Sequence, residues 1–384
     1  MAATLVVVLS QLLLLSTIFI ITNQFGAAKA TDIGVNYGML GNNLPPAAEV
    51  INLYKKNGVS KLRLFDPDPA ALAALKGSKI EVALDLKNQD LPIFASSPPA
   101  LQQWFAQNVE PYLNDIDFPY LVVGNEVIPG DLGHYVWPVM MSLQNILDTK
   151  NLHGIKVTTT LPGTALSTSY PPSLGQFSAQ AAADLKGVLS FLSSQGSPLM
   201  INVYPYFAYA SDPAHVRLDY AQFTATEVVV QDGPYGYKNL FDAMVDSFVA
   251  AMESAGVPDV ELVVSESGWP SAGNGELTTQ ALASTYNTNF IKHVSSGVGT
   301  PRRPNKRLEG YIFAMFNENL KSPGVEQNFG LFYPDMTPCL SCFQSTLNQI
   351  IVLRVWLKAE SATRACVGGN HSRVWRRMSE PLAG

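Results

Sequence analysis

Cysteine is missing from almost the whole chain: of 384 residues only Cys339, Cys342 and Cys366 carry a thiol, all within the last 46. A body without thiols cannot depend on disulfides or hold a metal through thiolates, whatever compartment it occupies. Histidine is scarce too. Its five positions (134, 153, 215, 293 and 371) form no H-E-x-x-H pair, and no G-x-S-x-G elbow occurs, so the motifs of zinc peptidases and serine hydrolases are excluded. Positive charge is in short supply. Residues 31–338 hold 18 Lys and Arg against 29 Asp and Glu, a balance of −11, and the whole chain carries −6. That argues against a nucleic-acid binder held by phosphate neutralisation. With 47% hydrophobic and 15% charged residues, wholesale disorder is excluded, and the length suits one large domain or two ordinary ones.

Long apolar runs are absent except at the start, where Leu5 to Ile21 is followed by small and polar residues ending Ala28-Lys29-Ala30. This reads as a secretory signal over residues 1–30, cleaved after Ala30. No Lys or Arg precedes the run, and its 17 residues approach spanning length, which keeps an uncleaved anchor as the alternative.

From Thr31 to Pro338 short β-branched or aliphatic runs alternate with amphipathic stretches of helical period. The runs are Ile33–Tyr37, Lys61–Phe65, Glu81–Leu86, Tyr120–Glu126, Lys156–Thr160, Leu199–Tyr204, Glu261–Glu266 and Tyr311–Phe316. Between them Pro45–Asn57, Pro98–Leu113, Val136–Leu147, Ala179–Leu192, Leu240–Met252 and Gln280–Val294 are predicted helices. Eight strands alternating with helices over about 300 residues predict an α/β fold, a single (β/α)₈ TIM barrel spanning 31–338. The alternative, an open doubly wound sheet, would place a Gly-rich phosphate turn after its first strand. Here that turn is Tyr37-Gly38-Met39-Leu40-Gly41 and lacks the third glycine.

Residues 339–384 break the alternation and carry six Lys and Arg against two Glu. Cys339-x-x-Cys342 has no second pair and no neighbouring His to complete a site, so the segment reads as a disordered basic tail. It contains the sequon Asn370-His371-Ser372.

In such a barrel, chemistry is expected at the C-terminal ends of the strands. Strand four ends Gly124-Asn125-Glu126, strand seven Ser265-Glu266-Ser267-Gly268-Trp269, and strand eight Phe316-Asn317-Glu318-Asn319 with Lys321 soon after. Burying three such carboxylates inside the barrel would be prohibitively costly, so they belong at its rim. Aromatic residues gather at the same ends, with Tyr37 after strand one, and Tyr204, Tyr206 and Phe207 after strand six. Carboxylates beside aromatic faces suit sugar rings, and a protonated carboxyl opposite an ionised one is the requirement of glycoside hydrolysis.

These residues resemble a known family. Ile33-Gly34-Val35-Asn36-Tyr37-Gly38, Arg63-Leu64-Phe65-Asp66, Val123-Gly124-Asn125-Glu126, Asn202-Val203-Tyr204-Pro205-Tyr206-Phe207, Ser265-Glu266-Ser267-Gly268-Trp269-Pro270 and Phe316-Asn317-Glu318-Asn319 are similar to the motif set of plant family 17 glycoside hydrolases, the endo-β-1,3-glucanases. The resemblance covers residues 31–338. It implies a retaining hydrolase with catalytic carboxyl groups about 5–5.5 Å apart. Position by position it implies Glu126 as general acid/base and Glu266 as nucleophile. It further implies Asn125 on the sugar 2-hydroxyl, Tyr204 orienting the nucleophile, and Glu318 and Lys321 as supporting groups. Tyr37, Phe207, Trp269 and Phe316 are the expected sugar-stacking rings. The tail matches neither a six-cysteine carbohydrate-binding module nor the apolar end of a lipid-anchor signal. The expectation is a secreted monomer of the extracellular space or cell wall, with the vacuole as the other destination. It needs no cofactor and no metal, acts on β-glucan polysaccharide, binds no nucleic acid, and touches no membrane once the signal is cleaved. Mixed-linkage 1,3-1,4-glucanase and a β-glucan-binding protein of little activity remain the alternatives.

Overall fold

The computed structural model describes residues 33–340. The expected signal over 1–30, Cys342, Cys366, the sequon at Asn370 and most of the 339–384 tail lie outside the described residues. Cys339 and Leu340 lie within them. Both are buried, and the Cys339 N–H donates to the Leu331 carbonyl at 2.9 Å.

Eight parallel strands close into a barrel: β1 (Ile33–Asn36), β2 (Lys61–Leu64), β3 (Glu81–Leu86), β4 (Asp117–Asn125), β5 (Lys156–Leu161), β6 (Leu199–Asn202), β7 (Leu262–Ser267) and β8 (Glu309–Ile312). Each pairs with its sequence neighbours, and β8 closes on β1 through Ile33 opposite Gly310 and Gly34 opposite Tyr311. This is the (β/α)₈ TIM barrel that the alternation predicts, with helices between the strands. Two short antiparallel hairpins, Leu166–Thr168 with Gln176–Phe177 and Val230–Asp232 with Tyr235–Tyr237, decorate it.

The barrel interior is filled in part by Ala83, Val122, Met200, Val263 and Tyr311, one residue from each of five strands. The Tyr311 ring lies where a side chain on Gly34 would project: a Cβ there would meet it at 2.3 Å. Only glycine leaves the space. Outside, the helices end on signals visible in the sequence. Ser178 and Gly196 bracket Ala179–Gln195, and Thr279 and Gly297 bracket Gln280–Ser296. In each case the hydroxyl accepts an N–H three residues on and the glycine takes the left-handed conformation.

Helices Pro69–Leu75 and Leu91–Ser96 are not among those expected, and two expected elements end early for local reasons. The helix starting at Pro98 stops at Asn108 and is followed by a 3₁₀ turn, Glu110–Tyr112, because Pro111 has no N–H to continue the helical ladder and its ring crowds the carbonyl four residues back. Strand pairing in β8 ends at Ile312 rather than Phe316. Beyond it Phe313 and Met315 still donate to Ser267 and Asn36, while Ala314 donates to Phe329 and accepts from Leu331 and Asn317 donates to Phe332, so residues 313–317 also pair with residues 329–332.

Candidate active site

The C-terminal ends of the strands surround a cleft of about 900 Å³. Glu126 enters it at the end of β4, where the backbone makes two unusual turns: Gly124 has φ +84° and Glu126 itself +58°. A left-handed glutamate is strained, and such strain persists where the surrounding structure over-determines it. Here the Glu126 N–H is tied to the Thr160 carbonyl at 3.0 Å, and Asn125 is clamped by paired hydrogen bonds with Asn88, 2.9 Å each way. The result aims the Glu126 carboxyl into the cleft, where the Asn202 side-chain amide donates to its Oε1 at 2.9 Å.

Glu266 comes from β7 and is only 6% exposed. Its partners differ in kind from those of Glu126. The Arg63 guanidinium donates to Oε1 at 3.1 Å and the Tyr204 hydroxyl to Oε2 at 2.7 Å. Burial pushes the Glu266 carboxyl up from the usual glutamate range to about 7. Arg63 opposes that push, the Glu126 charge adds to it, and Tyr204 and Lys321 oppose it. Burial and the Glu266 charge together hold the Tyr204 hydroxyl well above the usual tyrosine range, so it remains a donor.

Arg63 is fully buried in the barrel. Its guanidinium makes a paired contact with Asp85, at 2.6 and 3.0 Å, and reaches Asn125 Oδ1 at 3.0 Å and Thr160 Oγ1 at 3.2 Å. The paired geometry suits a guanidinium, and one cation thereby fixes the Asn125 amide of β4 and the Glu266 carboxylate of β7.

Of the residues singled out in the sequence, Tyr37, Asn125, Glu126, Tyr204, Phe207, Glu266, Glu318 and Lys321 line the cleft together. Glu318 is buried and accepts the Leu40 N–H at 2.8 Å, while Lys321 lies 3.7 Å from it and 4.0 Å above the Phe313 ring centre. Phe207 is 43% exposed and presents a ring to solvent, whereas Tyr37 is nearly covered. Trp269 and Phe316 do not line the cleft, which corrects the stacking expectation for both. Trp269 is 1% exposed, packed among Tyr206, Tyr209 and Tyr286, with its indole N–H donated to the Leu277 carbonyl. Phe316, also 1% exposed, is turned inward where its backbone pairs with Phe332. Phe65, Phe313 and Phe329 take their place in the lining.

Residues 33–342, most of the chain, match the family described as glycosyl hydrolases family 17. The chain belongs to that family. A probable glucan endo-1,3-beta-glucosidase of Arabidopsis thaliana is 53% identical over 329 residues, 85% of this chain and 95% of the relative. A glucan endo-1,3-beta-glucosidase of Vitis vinifera is 47% identical over 328 residues, 84% of this chain and 93% of that one. Among solved structures, the β-1,3-glucanase and pollen allergen of Cryptomeria japonica superposes with a TM-score of 0.77. It is 46% identical, covering 80% of this chain and 97% of the other. One of two plant β-glucan endohydrolases with distinct substrate specificities gives the same TM-score and identity over 80% and 98% of the two chains.

As a family 17 glycoside hydrolase the protein acts on a glycosidic bond of a polysaccharide, and its site holds residues that strand-end reasoning missed. Arg63, Asp85 and Asn202 are the main ones. The first two left a trace, since a lone charge inside an apolar strand must either face solvent or find a partner. In this hydrolase the cleft floor is also unusually tight beside Gly38, where an added Cβ would meet the Glu318 carboxyl oxygens at 2.2 and 2.5 Å. Gly38→Ala is expected to displace that carboxyl from the Leu40 N–H and to cost about 1–3 kcal/mol. Urea unfolding checks this, and an unchanged midpoint would contradict it. Among the described residues, no group of three His, Cys, Asp or Glu is arranged to hold a metal, and no helix is long and apolar enough to cross a membrane.

Proposed function

We propose that this family 17 hydrolase cleaves internal β-1,3-glucosidic linkages of glucans of the callose or fungal-wall type, with retention of configuration. The observation that carries the reading is the asymmetry between two carboxyls of one cleft. Glu266 faces a guanidinium and a phenolic hydroxyl, while the side-chain partner of Glu126 is a neutral amide. Arg63 and Tyr204 oppose the rise that burial gives the Glu266 carboxyl and hold both of its oxygens, which suits Glu266 to attack as the carboxylate and leaves Glu126 as the proton donor. Glu126 then gives its proton to the glycosidic oxygen as Glu266 attacks the anomeric carbon. The C–O bond to the leaving sugar breaks, and Glu266 is esterified. Water attacks the ester, returns its proton to Glu126, and frees Glu266.

The Asn125 amide oxygen is occupied by Arg63, which leaves its NH₂ as the end that meets the sugar 2-hydroxyl. Phe207, exposed at the edge of the cleft, is the best stacking platform, with Tyr37 a minor one. Glu318 and Lys321 support the site from the segment that follows β8. A monomer is the proposed state. The apolar run Leu5–Ile21 and the Ala28-Lys29-Ala30 site support secretion, with 1–30 as signal, 31–338 as the catalytic domain and 339–384 as a tail.

The linkage assignment draws on relatives named for the 1,3 bond. A mixed-linkage 1,3-1,4 preference is the second reading, because one solved neighbour belongs to a pair of plant β-glucan endohydrolases with distinct substrate specificities. Release of reducing ends from linear 1,3-glucan against mixed-linkage glucan tests this. Faster release from the linear polymer is expected. Preference for the mixed polymer would overturn the linkage, and no release from either would favour a binding protein.

Tyr204 supplies a pH test. Removing its hydrogen bond disfavours ionised Glu266, so Tyr204→Phe is expected to move the acid limb of kcat/KM upward by about one pH unit. A limb that stays in place would contradict the role given to Tyr204.

A further inference from the structure

A side-chain amide has a donor end and an acceptor end, and its direction is set by what surrounds it. Three neighbours decide the direction at Asn202. Ser265 Oγ lies 2.8 Å from Asn202 Oδ1 and donates to it, while Asn202 Nδ2 lies 2.9 Å from Glu126 Oε1 and 3.3 Å from Asn125 Oδ1. The Asn125 oxygen is itself fixed, because Arg63 donates to it at 3.0 Å. Turning the Asn202 amide over would therefore set its oxygen against two other oxygens and leave Glu126 Oε1 without its donor. The observed direction gives one N–H to Glu126 and the other to Asn125.

We propose that Ser265 and Asn202 form a positioning relay that selects Oε2 of Glu126 as the oxygen exchanging its proton with the glucan. The proposal rests on the acid/base reading of Glu126. Oε1 receives an N–H from Asn202, so it cannot also carry a proton toward that amide. The acid proton is left to Oε2, and the same oxygen must take the proton from water in the second half of the reaction. Asn202 touches neither the leaving oxygen nor the anomeric carbon in this scheme; it acts through Glu126. Ser265 acts one step further back. Its hydroxyl keeps the amide from rotating, and its own carbonyl is held from β1 by the Asn36 amide at 3.0 Å. The relay therefore runs from β7 through β6 to β4. It sets the acid carboxyl and the neighbouring Asn125 amide together.

The test compares kcat/KM for two aryl β-laminaribiosides, one with a dinitrophenyl leaving group that needs no protonation and one with a methoxyphenyl group that does. For the methoxyphenyl donor, Asn202→Ala is expected to lower kcat/KM by about 10²-fold, the lower end of what general acid catalysis contributes, and Ser265→Ala by about tenfold. For the dinitrophenyl donor both variants should stay within about threefold of wild type. Ser265→Thr, which keeps the hydroxyl, should recover most of the loss. Equal losses on the two donors would show a merely structural role and overturn the relay, and so would no loss on either. Glu126→Gln run alongside separates the two levels. If it alone is selective for the methoxyphenyl donor, the relay fails and the acid/base reading stands. If Glu126→Gln is itself unselective, the acid/base reading fails and the relay with it.

Discussion

Glu266→Gln is expected to lower kcat on linear 1,3-glucan by about 10⁴-fold or more, the scale on which removal of a covalent nucleophile acts. A glutamine amide neither attacks the anomeric carbon at a useful rate nor leaves as a good leaving group, so both half-reactions lose their central atom. Binding should survive, because Arg63 retains its paired contact with Asp85 and keeps Asn125 in place. Titration calorimetry with a laminari-oligosaccharide should give an affinity near that of wild type. Residual turnover within about tenfold of wild type would contradict the nucleophile assignment. The same variant carries a stability signature. Burial raises the Glu266 carboxyl to about 7, so the fold binds a proton there more tightly than the unfolded chain does. Wild-type stability contributed by that proton is present below the ordinary glutamate range and is lost as pH rises toward 7. Between those limits Glu266→Gln should gain on wild type by on the order of 3 kcal/mol, read from urea midpoints across pH. Parallel profiles for the two proteins would count against the raised value.

Glu126→Ala is the second large effect, and its size depends on the substrate. On glucan, where the leaving group is a sugar alcohol, kcat should fall by about 10²- to 10⁴-fold, the range of general acid catalysis. With a dinitrophenyl glycoside the first half-reaction needs no proton, so release of the phenol should show a burst followed by slow hydrolysis of the Glu266 ester. Azide restores the second half: it displaces the Glu266 carboxylate at the anomeric carbon, forms the C–N bond without proton transfer, and yields the β-glycosyl azide. Equal losses on both substrates, or no response to azide, would contradict the assignment of Glu126.

The sequence made the barrel legible because its eight strands repeat the same contrast between apolar body and polar end, and helices such as Ala179–Gln195 announce themselves by Ser178 and Gly196. Glu126 and Glu266 stood out for the same reason, as charged residues where strands emerge. Partner choice was less visible. Arg63 sits between Leu62 and Leu64, and its contact with Glu266 spans 203 positions in the chain. No local pattern tells whether such an arginine faces outward or into the barrel. The stacking rings failed differently. Residue type at a strand end says that an aromatic is near the rim, but not on which side. Trp269 and Phe316 turned inward, because Tyr206, Tyr209 and Tyr286 enclose the one and the pairing of residues 313–317 with 329–332 buries the other. Asn202 illustrates the limit most clearly. Its place in a motif is readable, but the direction of its amide depends on Ser265, 63 residues away.

Retention through a Glu266 ester is the centre of the proposed mechanism, and the anomeric configuration of the first product reads it directly. Proton NMR during the first minutes of laminari-oligosaccharide hydrolysis separates new α from new β reducing ends before mutarotation mixes them. Double displacement requires the β anomer to appear first and the α anomer to grow in later. Initial appearance of the α anomer would mean direct attack by water and would contradict the covalent role of Glu266.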